Sequence, residues 1–313
     1  MTPKPSLEQY ILTAASALGF AADPMNAERA YEFNLRSARL SVTSGEVMSD
    51  VLSALKEMTH DYASGKPQLL FYPPDRIDEL SLLQKPFQST IEKIYRHNII
   101  YNRSFPNAPR NGWIDIPLLY EIIDDLLRTR LVCKYMDGPK FVCQQLTAHC
   151  DAHGIGSRFR ELSTDAGYYA WHFYFQAPAE IMINTKVEVK MMWVEIQLTT
   201  QLAEVIDSLT HGLYEARRSG RVDAEAKDWK WDAGSQRFRS AYIGHGLHLL
   251  EGIIQSYKDD VLSALTPRGE IGGNYHFKIV GTTASVCWRT RRFCREARRA
   301  GNLARSCPMA LRG

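Results

Sequence analysis

The chain of 313 residues lacks several features that mark specialised classes of protein. No apolar run reaches the roughly 18–20 residues that a membrane helix needs, which argues against a helical membrane protein. The first residues, Met1 to Pro5, lack the charged-then-apolar layout of a secretory signal. The six cysteines match no disulfide framework and no CxxC zinc knuckle. We therefore expect a cytoplasmic globular protein without a membrane partner.

The formal net charge of +3 conceals an uneven distribution along the chain. Residues 289–313 carry eight arginines and one acid, Glu296, so the rest of the chain is net acidic. A basic tail of this kind is typical of an arm that seeks nucleic acid or of a solvated segment without function. Both interpretations stay open.

Apolar periodicity predicts a helical first 70 or so residues, with helices over 7–18, 28–40 and 47–58. Further helices are predicted over 87–97, 116–127, 137–149, 200–217 and 242–258, and strands over 129–135, 171–175, 187–198 and 276–280. This pattern predicts an α+β fold, a mixed sheet flanked by helices with helical N- and C-terminal extensions. The expected domains are a helical region (1–75), a central domain (76–218) and a C-terminal extension with the basic tail (219–313).

A stripe of basic and hydroxyl side chains follows the first domain boundary. Lys85, Ser89, Lys93 and Arg96 are spaced by four, four and three residues, which on a helix places them on one face. Three cations and a hydroxyl suit a polyphosphate, although a solvated basic face shows the same spacing.

Two further polar sets lie on or beside predicted strands. Asp125 precedes a strand that carries Arg130. The acid can hold a hard cation and the arginine can stack on a base. Alternatively, the two residues form a structural pair. Glu195 and Gln197 stand two apart on an apolar strand and therefore project from one face. A charge there requires a partner or a metal, so Glu195 is either a rim carboxylate paired with an arginine or a second magnesium ligand. Tyr168 follows a glycine and can present its ring to a base, unless this aromatic strand merely packs.

Together these sets resemble the synthetase domain of the RelA/SpoT family, the (p)ppGpp synthetases, whose fold belongs with the nucleotidyltransferases. The family pattern is R-x-K-x3-S-x3-K-x2-R, D-x4-R, G-Y-x3-H and E-x-Q, with a His sixteen residues after the glutamate. The match covers roughly residues 80–215 and consists of Lys85, Ser89, Lys93, Arg96, Asp125, Arg130, Gly167, Tyr168, His172, Glu195, Gln197 and His211.

The resemblance implies a pyrophosphokinase that transfers pyrophosphate from ATP to a ribose 3′-hydroxyl. Asp125 and Glu195 would be catalytic and would hold Mg²⁺. The implied ATP-binding residues are Lys85, Ser89, Lys93, Arg96 and Arg130, and the implied acceptor-binding residues are Tyr168, His172, Gln197 and His211.

Departures from the pattern leave the acceptor open. The family's first arginine falls on Leu83, and its glycine before the second-strand arginine is Arg128. Its arginine and serine after G-Y are Tyr169 and Ala170, its arginine after the E-x-Q glutamine is Thr199, and an asparagine often found nine residues after the glutamate is Glu204. Several of these positions lie near where the family holds the acceptor guanine nucleotide. One expected acceptor is GDP or GTP, which would give (p)ppGpp. A second is the 3′ end of tRNA, as in toxic relatives that need an antitoxin or regulatory partner. A third is an adenine nucleotide. An inert module that binds nucleotide or RNA is a further alternative, and a homo-oligomer is common in the family.

The segment from Trp229 to Gly252 is similar to the C-terminal extension of standalone family members. His245, His248 and Glu251 recur at three-residue steps, which indicates either a metal site or structural hydrogen bonds. Upstream, Cys133 and Cys143 lie among apolar residues and are expected to be buried thiols. His149, Cys150 and His153 could form one corner of a metal site, but a second half-site is missing.

Overall fold

A computed structural model describes residues 3–11, 24–63, 68–78, 80–110, 112–114, 116–183, 186–208, 229–265, 276–280 and 283–287. The chain divides into two compact units, Met1–Ser256 and Tyr257–Gly313. The expected domain boundaries near residues 76 and 219 stay a prediction. Among the described helices, none has the length and apolar character needed to cross a membrane.

The first unit begins with helices α1 (7–11), α2 (Pro24–Ser44) and α3 (Glu46–Ala63). Helix α3 buries Met48, Val51, Leu55 and Met58, whose spacing of three and four places them on one side. The helices predicted over 28–40 and 47–58 are confirmed. The one predicted over 7–18 is described only to residue 11, and its remainder lies outside the described residues.

A mixed sheet of five strands forms the centre of this unit, which confirms the α+β prediction. In space the strands run in the order β1-β2-β5-β4-β3; β2 and β5 are parallel, and all other neighbours are antiparallel. The strands are β1 (Leu83–Gln84), β2 (Leu127–Cys133), β3 (Ser157–Ser163), β4 (Tyr169–Ile183) and β5 (Lys186–Thr200).

Strands β1 and β3 were not predicted from the sequence. Strand β1 has only two residues, and β3 is a mostly exposed edge strand with the sequence SRFRELS, which lacks apolar alternation. Both are held by pairing to a longer strand rather than by their own pattern.

Helices α4 (Phe87–Tyr95), α5 (Ile116–Ile122), α6 (Gly138–Ala152) and α7 (201–208) accompany the sheet, and a π-helical turn, Arg96–Ile100, extends α4. The helix predicted over 116–127 was too long at its C-terminal end, because the chain turns at Asp124 and Asp125 before β2 begins. The helix predicted over 200–217 is described to residue 208, and the rest of that segment lies outside the described residues.

The two faces of the sheet differ sharply in character. Phe173 and Phe175 on β4 and Val194, Ile196 and Leu198 on β5 are completely buried and belong to the apolar core. Because side chains alternate along a strand, the residues between them project from the opposite face. That opposite face carries the polar residues that the sequence singled out.

The last elements are helix α8 (Gln236–Leu265) and, in the second unit, an antiparallel hairpin of β6 (His276–Val280) and β7 (Thr283–Cys287). The predicted strand over 276–280 is confirmed, whereas β7 was missed. Helix α8 is longer at both ends than the predicted 242–258.

The buried thiols provide a test of this core. Cys133 and Cys143 are buried as expected, and so is Cys150. Burial raises the pKa of Cys143 to about 12 and that of Cys150 to about 11, and it raises the pKa of Cys133 as well. Because the thiolate is the reactive species, iodoacetamide at mildly alkaline pH should leave all three unmodified in the native protein and modify them after unfolding. Peptide mapping by mass spectrometry would show this, and native-state labelling at the unfolded rate would contradict the packing.

Candidate active site

Glu195 lies on β5, the middle strand of the sheet, and only 3% of its surface is exposed. Its Oε1 lies 2.7 Å from His172 Nδ1 and accepts a 2.9 Å hydrogen bond from the Tyr174 hydroxyl. Its Oε2 accepts a 2.9 Å hydrogen bond from Gln197 Nε2. The interpretation as a rim carboxylate paired with an arginine is therefore wrong. A histidine, a tyrosine and an amide hold a buried carboxylate instead.

Strand register explains why these side chains meet. Residues opposite one another on adjacent strands share a face of the sheet. The polar face therefore carries two rows that run across β2, β5, β4 and β3. The first row is Arg128, Glu195, Tyr174 and Arg158, and the second is Arg130, Gln197, His172 and Arg160.

Lysines and aspartates form a second cluster between the start of α4 and the start of β2. Lys85 Nζ lies 2.7 Å from Asp125 Oδ2, and Lys93 Nζ lies 2.9 Å from Asp125 Oδ1 and 2.7 Å from Asp124 Oδ1. Burial alone would raise the pKa of Asp125, but the two ammonium groups lower this pKa to about 2. Burial lowers the pKa of Lys85 despite the neighbouring carboxylate, whereas Asp125 and Asp124 outweigh burial and raise the pKa of Lys93.

The predicted basic stripe does not lie on a single α-helix. Lys85 precedes α4, Ser89 and Lys93 lie on it, and Arg96 begins the π-helical turn. Arg96 and Ser89 are half-buried, and within the described ranges Arg96 makes no ion pair. Of the four, the structure brings Lys85 and Lys93 together on one carboxylate.

Arg130 binds acids of α7 rather than Asp125, so the structural pair of Asp125 with Arg130 is wrong. The guanidinium lies 2.8 Å from Glu204 Oε2 and 3.6 Å from Asp207 Oδ2, and it donates a 3.3 Å hydrogen bond to Gln197 Oε1. Glu204 is one of the departures from the family pattern, and it faces a residue that the pattern retains. The stacking of Arg130 on a base stays a prediction.

Sequence reasoning missed the residues that connect the two clusters. Asp124 Oδ2 accepts hydrogen bonds from Arg158 at 3.0 Å and Arg160 at 3.1 Å, and Arg160 donates to the Tyr174 hydroxyl at 2.6 Å. A chain of contacts therefore runs from Asp125 through Lys93, Asp124, Arg160 and Tyr174 to Glu195. The alternation Arg158-x-Arg160 was the available signal, but it becomes informative only once β3 is recognised as a strand.

Tyr168 lies at the edge of the polar face, where its hydroxyl is 3.2 Å from His172 Nε2. The next residue, Tyr169, turns to α8: its hydroxyl lies 2.7 Å from His245 Nδ1, and its ring stacks on His248 at 3.6 Å. His211 lies outside the described residues.

The contacts of His245, His248 and Glu251 favour the structural interpretation of this series. The two histidines contact Tyr169, and the buried Glu251 is hydrogen-bonded by Thr200 and by the backbone at the start of α7. Burial nevertheless raises the pKa of Glu251. In the described part of the chain, no group of three or more His, Cys, Asp or Glu side chains is arranged to hold a metal.

Comparisons with known proteins add a likeness in fold. No family model matches the sequence, and no curated protein matches it significantly. Small alarmone synthetase 1 from Bacillus subtilis has a TM-score of 0.48 and 18% identity, over 75% of this chain and 99% of its own. The same synthetase bound to its product pppGpp has a TM-score of 0.46 and 16% identity, over 72% of this chain and 97% of its own.

A GTP pyrophosphokinase family protein from Streptococcus pneumoniae gives a TM-score of 0.39 and 18% identity, over 70% of this chain and 94% of its own. These solved structures are alarmone synthetases and a GTP pyrophosphokinase family protein, the kind of protein that the sequence motifs resemble. At these identities the likeness concerns the fold alone.

Two glycines allow α8 to approach the turn that presents Tyr168. Gly167 has a φ of 77°, and a Cβ there would lie 2.3 Å from the carbonyl oxygen of Ala241. A Cβ on Gly244 would lie 2.2 Å from the carbonyl oxygen of Gly167, whereas a Cβ on Gly246 would meet nothing within 4 Å.

We expect Gly244→Ala to lower the free energy of unfolding by about 1–3 kcal/mol, because backbone must move to admit the methyl group. Gly246→Ala on the same helix is the matched control and should be neutral or stabilising by up to about 1 kcal/mol, since alanine favours helix. Denaturant unfolding of both variants measures the difference. Equal effects would show that the close approach of α8 does not limit stability.

Proposed function

We propose that the protein is an ATP-dependent pyrophosphokinase that transfers pyrophosphate to the 3′-hydroxyl of a ribose. The observation that carries the proposal is the pair of carboxylates, Asp125 and Glu195, joined by one continuous network on a polar face rich in cations. The motif resemblance supports the same reaction.

In the proposed reaction the 3′-hydroxyl oxygen attacks the β-phosphorus of ATP in line. The bond between that phosphorus and the oxygen bridging to the α-phosphate breaks, and AMP leaves with the bridging oxygen. The work of the protein is to position the groups and neutralise charge. Lys85, Lys93 and Arg96, with Ser89, contact phosphate oxygens, and Arg130 lies beside the adenine.

Glu195 accepts the proton of the attacking hydroxyl in this scheme. His172 and Tyr174 both contact Oε1, which fixes the orientation of the carboxylate. Within the described residues, Oε2 accepts only the Gln197 hydrogen bond and so retains acceptor capacity. Tyr168, next to His172, stacks on the acceptor base, and Gln197, His172 and His211 orient the acceptor.

The donor chemistry of this pair fits magnesium. Mg²⁺ prefers oxygen ligands and is commonly held by one or two carboxylates, with waters and substrate phosphates completing the shell. The low pKa of Asp125 keeps that carboxylate ionised at neutral pH, with Lys85 and Lys93 each contacting one of its oxygens, and Glu195 Oε2 has acceptor capacity left. Asp125 and Glu195 would hold the ion, which would supply charge neutralisation at the ATP phosphates.

The acceptor in the proposal is GDP or GTP, with the 3′ end of tRNA as the alternative. The contacts of Tyr169 favour keeping the alternative, because the family's arginine at this position is replaced by a ring that packs on His245 and His248. The arginine-rich tail would give salt-dependent affinity for RNA.

The test is incubation of the protein and ATP labelled on the β-phosphate with GDP, GTP, an adenine nucleotide or bulk tRNA, followed by chromatography of the products. We expect magnesium-dependent formation of AMP and transfer of label to one acceptor. Label on GDP or GTP supports the alarmone, and label on tRNA alone supports the alternative. Absence of AMP with every acceptor would favour the inert binding module.

Glu195→Gln should lower the rate of AMP formation at least about 100-fold, because the variant cannot take the proton or bind the cation as strongly. The matched control is Glu188→Gln, on the same strand but paired with Lys190 far from the network. Glu188→Gln should retain the wild-type rate. Full activity of Glu195→Gln would refute the assigned role.

A further inference from the structure

Arg128 is a basic side chain of the polar face that the proposed mechanism does not use. Arg128 lies on β2, opposite Glu195 of β5 and opposite Leu83 of β1. The three residues therefore share one row of one face. Arg128 is half-buried, and Leu83 is an exposed apolar neighbour that offers no hydrogen bond to the guanidinium.

Within the described residues, Arg128 also lacks the carboxylate partner that the neighbouring basic residues have. The other basic residues of β2, β3 and the Asp125 cluster are each paired with an acid: Lys85, Lys93, Arg130, Arg158 and Arg160. Across the ranges that the structure describes, Arg128 makes no such ion pair. A half-buried guanidinium without an anion is costly, so this arrangement favours an anionic ligand.

The positive charge of Lys85 beside Arg128 also favours an anionic ligand. The Arg128 guanidinium lies near enough to the buried Lys85 ammonium to repel it. Two cations that repel one another at the edge of the carboxylate network would both be stabilised by an anion placed between them. Phosphate oxygens suit the planar donors of arginine.

The position of Arg128 is informative in relation to the motif. The first arginine of the R-x-K pattern falls on Leu83, while Arg128 stands where the pattern has glycine. The register Leu83↔Arg128 shows that these two departures face each other on adjacent strands, about 5 Å apart. A guanidinium lost from β1 is therefore matched by one gained on β2.

We propose that Arg128 is a phosphate-binding residue of the nucleotide site and supplies from β2 the guanidinium that the motif places on β1. The inference deepens the proposed function and rests on it for the identity of the nucleotide. It is tested by binding rather than by turnover, so the two can fail separately.

The experiment is isothermal titration of the full chain with the non-hydrolysable analogue α,β-methylene ATP and with adenosine, in magnesium and in its absence. Arg128→Ala should bind the triphosphate about ten- to hundred-fold more weakly, with adenosine binding unchanged. Wild-type affinity of Arg128→Ala for the triphosphate, an equal loss for adenosine, or a wild-type protein that binds no triphosphate would each overturn the proposal.

A double variant that moves the guanidinium to the neighbouring strand gives a more specific test. In the double variant Leu83→Arg/Arg128→Ala the guanidinium returns to β1, and affinity for the triphosphate should recover most of the loss. Leu83→Gln/Arg128→Ala controls for polarity without charge and should not recover it. Arg103→Gln, in an exposed turn, should bind as the wild type does. Failure of Leu83→Arg to recover any affinity would overturn the inference that one guanidinium replaces the other.

Circular dichroism and thermal unfolding of each variant would verify that the sheet is intact. If AMP formation is absent in the wild type but Arg128→Ala loses triphosphate binding, the transfer reaction is wrong and the phosphate site stands. If AMP forms and Arg128→Ala binds normally, the reaction stands and the role of Arg128 is wrong.

Discussion

The burial of a carboxylate on the middle strand of the sheet is the constraint on which the rest of the site depends. A buried acid without partners costs several kcal/mol, so residues of its own strand and of the neighbouring strand must present hydrogen-bond donors on the same face. Tyr174 and His172 on β4 and Gln197 on β5 meet this requirement for Glu195. The opposite face of the same strands is apolar and packs into the core. The alternation of β4 and β5 thus fixes the fold and the site together.

Much of this arrangement could be predicted from residues close together in sequence. The E-x-Q spacing already placed Glu195 and Gln197 on one face, and helix periodicity located α2, α3 and α6. What could not be predicted depends on long-range pairing. Arg160 becomes a partner of Tyr174 only through the β3–β4 register, and Arg130 meets Glu204 only because α7 folds back beside β2. An edge strand with charged residues carries little local signal, so β3 and its arginines were missed.

The distribution of charge gives the polar face two different regions. Near Asp125, Asp124 and Glu195, the acids are accompanied by Lys85, Lys93, Arg128, Arg158 and Arg160, so cations outnumber acids. Near Arg130 acids outnumber cations, because Glu204 and Asp207 both approach a single guanidinium. An anionic ligand such as a polyphosphate would be stabilised in the first region and repelled by the surplus acid in the second. Relative to the family pattern, Arg128 adds a cation to the first region and Glu204 adds an acid to the second, so both departures increase the contrast in charge.

Helix α8 provides the remaining constraint, and it acts on the turn that carries Tyr168 and Tyr169. Tyr168 and Tyr169 are neighbours in sequence but face different partners: Tyr168 contacts His172 on the polar face, while Tyr169 packs between His245 and His248. The close approach of Gly167 and Gly244 holds the turn against the helix. A long side chain at 169 would reach toward a ligand only by giving up these contacts. Tyr169 therefore holds the turn against α8, and that turn orients Tyr168, the residue that we propose to stack on the acceptor base.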